Sequence, residues 1–320
     1  MHTFEELSRL FSDQFNKNLF PESNTLYKAG HYFLQLGGKR VRPVLCLMGN
    51  ELFGEITADG WHAANAIELF HNFTLIHDDI MDEAPLRRGQ QTVHAKFDES
   101  TALLAGDVLF VMAYEHLSRI SGDSLKKIMQ LFNKTAREVC EGQQMDMEFE
   151  KNENVSQQDY LHMIELKTSV LLAASLQMGA MLGGTGLGNQ HHMYEFGKNL
   201  GIAFQIQDDY LDAFGDPGKF GKQVGGDIRA NKKTFLLIHA LEACGEDSRK
   251  KLMTLMKENP EDKVDEVLKI FRNCGIDKWA TELQQQYFSK AMQHLEDVAV
   301  LSKRKEPLKQ LAEYLLTRDK

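Results

Sequence analysis

Residues 58–82 read ADGWHAANAIELFHNFTLIHDDIMD. No glycine or proline falls between Gly60 and Pro85, and Pro85 and Gly89 then break the run. The stretch predicts one long helix from about Ala58 to Asp82. It closes on the pentad Asp78-Asp79-Ile80-Met81-Asp82. Residues at i and i+4 share a helix face, so Asp78 and Asp82 point the same way. A second pentad, Asp208-Asp209-Tyr210-Leu211-Asp212, repeats the DDxxD spacing far along the chain. Like charges at that spacing are mildly destabilising by themselves. A fold that keeps two such faces has a cation to put there. Hard oxygen ligands suit Mg²⁺ above all, which completes its shell with substrate phosphates and water. Two solvated acidic faces are the plain alternative, but that reading leaves the basic clusters beside both pentads unexplained.

Around this stretch the chain keeps a helical pattern. Phe4, Leu7, Phe11, Phe15 and Leu19 recur every three or four residues and predict an amphipathic helix over 3–20. Gly37-Gly38 breaks the next segment, and Pro43 marks a helix start. Further helices are predicted over 101–120 (buried), 124–149, 158–182 and 191–214, with Ser156 and Asp159 as an N-cap and its acidic partner. Residues 215–231, Gly-rich and basic, read as a loop rather than core. Beyond 232 the pattern stays helical and more charged. With only six prolines and no sustained period-two alternation, the expectation is an all-α chain, one domain over 1–320 with roughly ten or more helices.

Composition narrows the function. A net charge of −9 argues against nucleic-acid binding, which is driven by basic surface. No run approaches the ~18 apolar residues of a membrane span. MHTFEELSRLFSDQF lacks a basic segment followed by an apolar one, so no signal peptide is predicted. Cys46, Cys140, Cys244 and Cys274 have no CxxC spacing and read as reduced thiols of a cytoplasmic protein, not a disulfide frame or zinc site.

Four basic elements could meet an anion. Gly37-Gly38-Lys39-Arg40-Val41-Arg42-Pro43 sets three cations beside a glycine pair and a helix start; a surface basic turn is the alternative. Arg87-Arg88-Gly89 follows the first pentad and reads as a diphosphate clamp or as charge balance for the aspartates. Lys167-Thr168 lies inside the apolar run LKTSVLLAASLQMGAML, where a lysine needs a partner or must snorkel. Lys219, Lys222, Lys232 and Lys233 surround Gly218, Gly221, Gly225 and Gly226, a lysine-bearing segment that could fold over a diphosphate. His71, on the first-pentad helix, reads from its residues alone as a buried, satisfied histidine.

In order along the chain stand GGKRVRP (37–43), HNFTLIHDDIMDEAPLRRG (71–89), LLAGDVL (103–109), GQQMD (142–146), KT (167–168), and FQIQDDYLD through GKQVGGDI and NKKT (204–234). This series resembles the trans-isoprenyl diphosphate synthases of the polyprenyl synthetase family, the farnesyl and geranylgeranyl diphosphate synthase type. The resemblance implies a homodimeric isoprenoid synthase helical bundle around a central cavity. It implies condensation of isopentenyl diphosphate with an allylic prenyl diphosphate, head to tail. By motif position, Asp78, Asp82 and Asp208 would bind three Mg²⁺, supported by Asp79, Asp209 and Asp212. Arg87, Lys167, Lys222 and Lys232 would hold the allylic diphosphate, and Lys39, Arg42, His71 and Arg88 isopentenyl diphosphate. Thr168 and Gln205, with Lys167, would stand near the developing carbocation.

The resemblance also places the floor that limits product length just before the first pentad. Thr74 lies one turn below Asp78, about 6 Å at helical rise, and Phe70 about 12 Å. Phe73 with a small Thr74 resembles the C15 to C20 enzymes, and the pentad without a two-residue insertion leans to C20. Three readings compete: a synthase making C25 or longer chains, a terpene cyclase, and a non-catalytic partner subunit. The cyclase needs no isopentenyl diphosphate site, and a partner subunit tends to lose motif residues that are all present here.

Overall fold

A computed structural model of the protein describes residues 1–17, 24–152, 154–215 and 224–316. The first part of the chain forms α1 (Phe4–Lys17), α2 (Thr25–Gln35), α3 (Val41–Phe53) and α4 (Ala58–Met81). A hairpin follows, β1 (Leu86–Arg87) and β2 (Gln90–Gln91), then α5 (Val93–Lys96), α6 (Glu99–Ser118) and α7 (Ser124–Lys151). Next come α8 (Gln157–Ile164), a π-helical segment (Glu165–Ser169), α9 (Val170–Leu182) and α10 (Leu187–Phe214). The remainder is α11 (Gly226–Arg229), α12 (Phe235–Ala243), α13 (Glu246–Glu258), α14 (Lys263–Asn273), α15 (Ile276–Asp297) and α16 (Ser302–Leu316).

Local chemistry sets these boundaries. Thr57 caps α4 by accepting from the Gly60 N–H, and Asp82 is its C-cap. Asn24 and Asp98 cap α2 and α6 in the same way. Ser156 and Asp159 form a full capping box at α8, as their spacing predicts. The two-residue turn between β1 and β2 is Arg88-Gly89, both at positive φ (54° and 75°). That pair of angles closes a tight antiparallel hairpin, with Arg87 opposite Gln90.

Two compact units emerge, Met1–Phe132 with Ala174–Met193 and Ala299–Leu308, and Asn133–Ala173 with Tyr194–Val298 and residues 309 onward. In the first, α4 packs along α6 and against α3. Leu7, Phe11 and Phe15 bury one face of α1, where Phe11 lies over Trp61. In the second, Tyr160, Ile206, Phe235, Leu252, Val267, Phe271 and Ile276 form a buried core shared by α8, α10, α12, α13, α14 and α15. No helix among the described residues is long and apolar enough to cross a membrane.

Four expectations need correction. The 101–120 helix is not buried all round: Leu103, Leu104 and Val111 are 49, 53 and 58% exposed. Its buried face is made by Ala102, Ala105, Leu109, Ala113 and Leu117, and the three apolar residues lie off that face. The 158–182 helix is interrupted by the π-helical segment. Residues 215–231 are not all loop, because α11 forms within them and buries Ile228. Cys244 and Cys274 are a disulfide rather than two thiols, with Cα atoms 5.7 Å apart. They cap the C-termini of α12 and α14, so packing of two helices joins residues that sequence spacing leaves unrelated.

Candidate active site

In the first unit the turn before α3 sorts the three cations of GGKRVRP. Arg40, in a left-handed conformation (φ 53°), turns inward; its buried guanidinium pairs with Glu68 and donates to the Leu34 carbonyl at 2.9 Å. Lys39 and Arg42 are left facing a cavity of about 580 Å³. His71 reaches the same cavity from α4, and Arg88 arrives from the hairpin turn, its guanidinium donating to the Gly37 carbonyl. All four residues assigned to isopentenyl diphosphate therefore line one pocket.

The pocket is strongly cationic. Burial holds the His71 imidazole well below its ordinary pKa, and Arg42, Arg88, Arg87 and Arg40 push the same way. His71 is neutral. Arg42 Nη1 stands 3.1 Å from His71 Nε2, and a guanidinium can only donate, so Nε2 accepts and the ring proton sits on Nδ1. Burial lowers the Arg42 pKa to about 10 against the raising influence of Glu68, which leaves it charged at neutral pH. Glu68, a lining residue that sequence reasoning missed, is committed to Arg40 and to the Asn72 amide at 2.9 Å.

The first pentad sits at the end of α4. Asp79 is buried, and Arg87 grips it with Nε at 2.8 and 2.9 Å and Nη2 at 2.7 Å. Such a forked pair fixes geometry as well as charge. Arg87 is thus engaged by a pentad carboxylate. Below Asp78, Phe70 is buried and Phe73 is partly so. Phe73 stacks on Phe110 of α6 at 4.8 Å, and Phe70 meets Phe110 and Phe132. The Thr74 hydroxyl donates to the His71 carbonyl at 2.8 Å. The aromatic layer therefore extends beyond the residues singled out in sequence.

In the second unit the π-helical segment carries Lys167 and Thr168. Such a bulge shifts side chains out of helical register and recurs at functional sites. Gly142 of α7 permits it, since a Cβ there would lie 2.3 Å from the Lys167 nitrogen. Lys167 Nζ lies 2.5 Å from Asp146, which supplies the partner that the apolar run demands. On α10, Asp209 is buried; it accepts from the Tyr160 hydroxyl at 2.7 Å and from Gln205 at 3.0 Å. Burial pushes its carboxyl up to about 7, against the lowering effect of those hydrogen bonds. Asp212 accepts the Asp227 N–H at 3.0 Å. Gln205 is thus bonded to a pentad carboxylate. Tyr160 carried no motif signal, because a buried tyrosine on a helix reads as core.

Lys232 lies 4.0 Å from Asp227. Lys233 turns away and donates to the carbonyls of Phe149 and Asn152, closing the end of α7. Lys219 and Lys222 lie outside the described residues.

No group of three or more His, Cys, Asp or Glu side chains forms a metal cage among the described residues. An all-protein cage is not what Mg²⁺ requires, since one or two carboxylates with substrate phosphates and water suffice. The donor set is oxygen only. Asp79, Asp209 and Asp212 are each held by a donor, beside Asp78, Asp82 and Asp208 on the same helices. That chemistry fits Mg²⁺.

A family model described as polyprenyl synthetase matches residues 23–273. The chain belongs to the polyprenyl synthetase family. It is 40% identical to a geranylgeranyl pyrophosphate synthase of Geoglobus acetivorans over 98% of this chain and 95% of that one. It is 33% identical to a geranylfarnesyl diphosphate synthase of Natronomonas pharaonis, over 92% and 90%. A crystal structure of a geranylgeranyl pyrophosphate synthase superposes with a TM-score of 0.94 at 42% identity, covering 99% of both chains. The all-α architecture expected from the helical pattern, and the isoprenoid synthase fold that the resemblance implies, are the fold of this chain.

Proposed function

We propose that the protein is a short-chain trans-prenyltransferase that joins isopentenyl diphosphate to an allylic prenyl diphosphate, with geranylgeranyl diphosphate (C20) as its main product. The observation that supports this most is the pocket of Lys39, Arg42, His71 and Arg88. A cyclase would have no use for a second diphosphate pocket. The match of one family model across both units favours a single functional domain over 1–320.

In this reading Asp78, Asp82 and Asp208 would hold the Mg²⁺ ions that the allylic diphosphate needs. When bound, Mg²⁺ neutralises the charge that builds on the leaving group. Asp79, Asp209 and Asp212 orient their neighbours through Arg87, Tyr160 and the Asp227 N–H. Lys167, Lys222, Lys232 and Arg87 would hold that same diphosphate, Arg87 while it also pairs with Asp79, and fixed cations there favour C–O cleavage. Lys39, Arg42 and Arg88 grip isopentenyl diphosphate, and neutral His71 adds its Nδ1–H without adding charge. The isopentenyl double bond attacks the allylic cation, and the departed diphosphate takes the proton that is lost. Thr168 and Gln205 offer oxygens near the cation.

Phe73 and the aromatic layer beneath it set the floor. Phe73→Ala is expected to lengthen the product by at least one C5 unit, read by chromatography of the dephosphorylated alcohols. An unchanged length refutes the floor. A homodimer is the proposed state. Its support is the exposed apolar α6, where Leu104 and Val111 share a face. Sedimentation at micromolar concentration tests it.

The deciding experiment is incubation with Mg²⁺, labelled isopentenyl diphosphate and, separately, dimethylallyl, geranyl and farnesyl diphosphates. A C15 or C20 alcohol supports the proposal. C25 or longer keeps the reaction but moves the floor. A cyclic hydrocarbon without label, or no turnover, overturns it.

A further inference from the structure

Lys263 opens α14 and is only 1% exposed. A lysine ammonium taken out of water must find anionic or hydrogen-bonding partners. Among the described residues its polar partners are two amide oxygens, Asn231 Oδ1 and Asn259 Oδ1, the latter at 3.1 Å. Both asparagines have positive φ, 57° and 50°. Asparagine is among the few residues that tolerate that backbone. The ammonium therefore ties together two left-handed turns, one ending α13 and one ending the segment 224–231.

That segment touches the second pentad on its other side. The Gly225 N–H donates to the Asp212 carbonyl at 2.6 Å, and the Asp227 N–H to the Asp212 carboxylate at 3.0 Å. The Lys232 N–H, next to Asn231, donates to the Asp227 carbonyl at 2.9 Å. Beneath, Gly225 (φ 78°) lies so close to Val264 that a Cβ would come within 2.5 Å of its Cγ1. α14 thus supports the segment at two points, Val264 under Gly225 and Lys263 under Asn231. A packed apolar side chain would stabilise this core at least as well as a desolvated cation. What the cation adds is a fixed position for Asn231.

We infer that Lys263 is a positioning residue of the active site: through Asn231 it fixes the segment that orients the Asp212 carboxylate and presents Lys232. The inference rests on the synthase reading above, in which Asp212 supports the metal and Lys232 faces the allylic diphosphate. Partners that orient a metal's ligands change affinity or activity by about 10- to 100-fold when lost.

Two variants test it. Asn231→Gly keeps the left-handed backbone and removes the oxygen; Lys263→Met removes the ammonium and keeps the volume. The readouts are KM for each diphosphate, the Mg²⁺ concentration at half-maximal rate, and the unfolding temperature. Both variants should raise the allylic KM and the Mg²⁺ requirement about tenfold, with the isopentenyl KM within about twofold of wild type. Asn231→Asp, which returns an oxygen, should restore both constants. A merely structural lysine predicts a lower unfolding temperature with unchanged constants, and that result overturns the inference. So do unchanged constants in a stable Asn231→Gly, which decide the matter if Lys263→Met fails to fold. A wild-type protein that does not condense the substrates sinks the synthase reading first, and this inference with it.

Discussion

Asp78→Asn is expected to lower kcat about a thousandfold at saturating Mg²⁺, the upper range for losing one preorganised group that stabilises developing charge. The substitution keeps the shape of the side chain and removes its charge. Asp79 stays gripped by Arg87, so the end of α4 keeps its geometry. The loss should therefore fall on the chemical step, with the unfolding temperature near that of wild type. Single-turnover rates across a Mg²⁺ titration read it directly. A rate within tenfold of wild type at every Mg²⁺ concentration would remove Asp78 from the metal site. Asp79→Asn should behave differently: it weakens a part-buried charge pair whose carboxylate is fully buried, so stability falls along with activity.

Glu68→Ala is the second large effect, and it acts on the fold before the chemistry. Glu68 and Arg40 are both buried, and their pairing carries the inward turn of Arg40 that leaves Lys39 and Arg42 at the pocket. Removing one partner strands a buried guanidinium with the Leu34 carbonyl, and breaking such pairs costs about 3–5 kcal/mol. Denaturant unfolding should show that loss. The KM for isopentenyl diphosphate should rise, because its pocket shares these residues. Replacing both partners by methionine tests the assignment further: stability should return most of the way while the KM stays high. Unchanged stability of Glu68→Ala would mean that the pair holds nothing together.

Much of this molecule was legible in its residues. The absence of helix breakers from 61 to 84 fixed α4, and Ser156 with Asp159 fixed the start of α8. Helical spacing alone put Asp78 with Asp82 and Asp208 with Asp212. Those are local facts, governed by backbone geometry over one or two turns. Lys39, Arg42, His71 and Arg88 lie across fifty residues, and their resemblance to a known motif series named them before any contact did.

What sequence left open was the partner of each charged group. Of the cations at 39, 40 and 42, only packing decided that Arg40 turns inward to Glu68. Arg87, a candidate for the allylic diphosphate, found Asp79 as its protein partner. Lys167 found Asp146, Lys233 the end of α7, and Lys263 two asparagine oxygens. Cys244 met Cys274, with thirty residues of sequence separation. The helical period states which face a side chain occupies, whereas its partner depends on which other helix lies against that face. Burial then makes the pairing obligatory, because a polar group removed from water must be satisfied by whatever the packing brings near it.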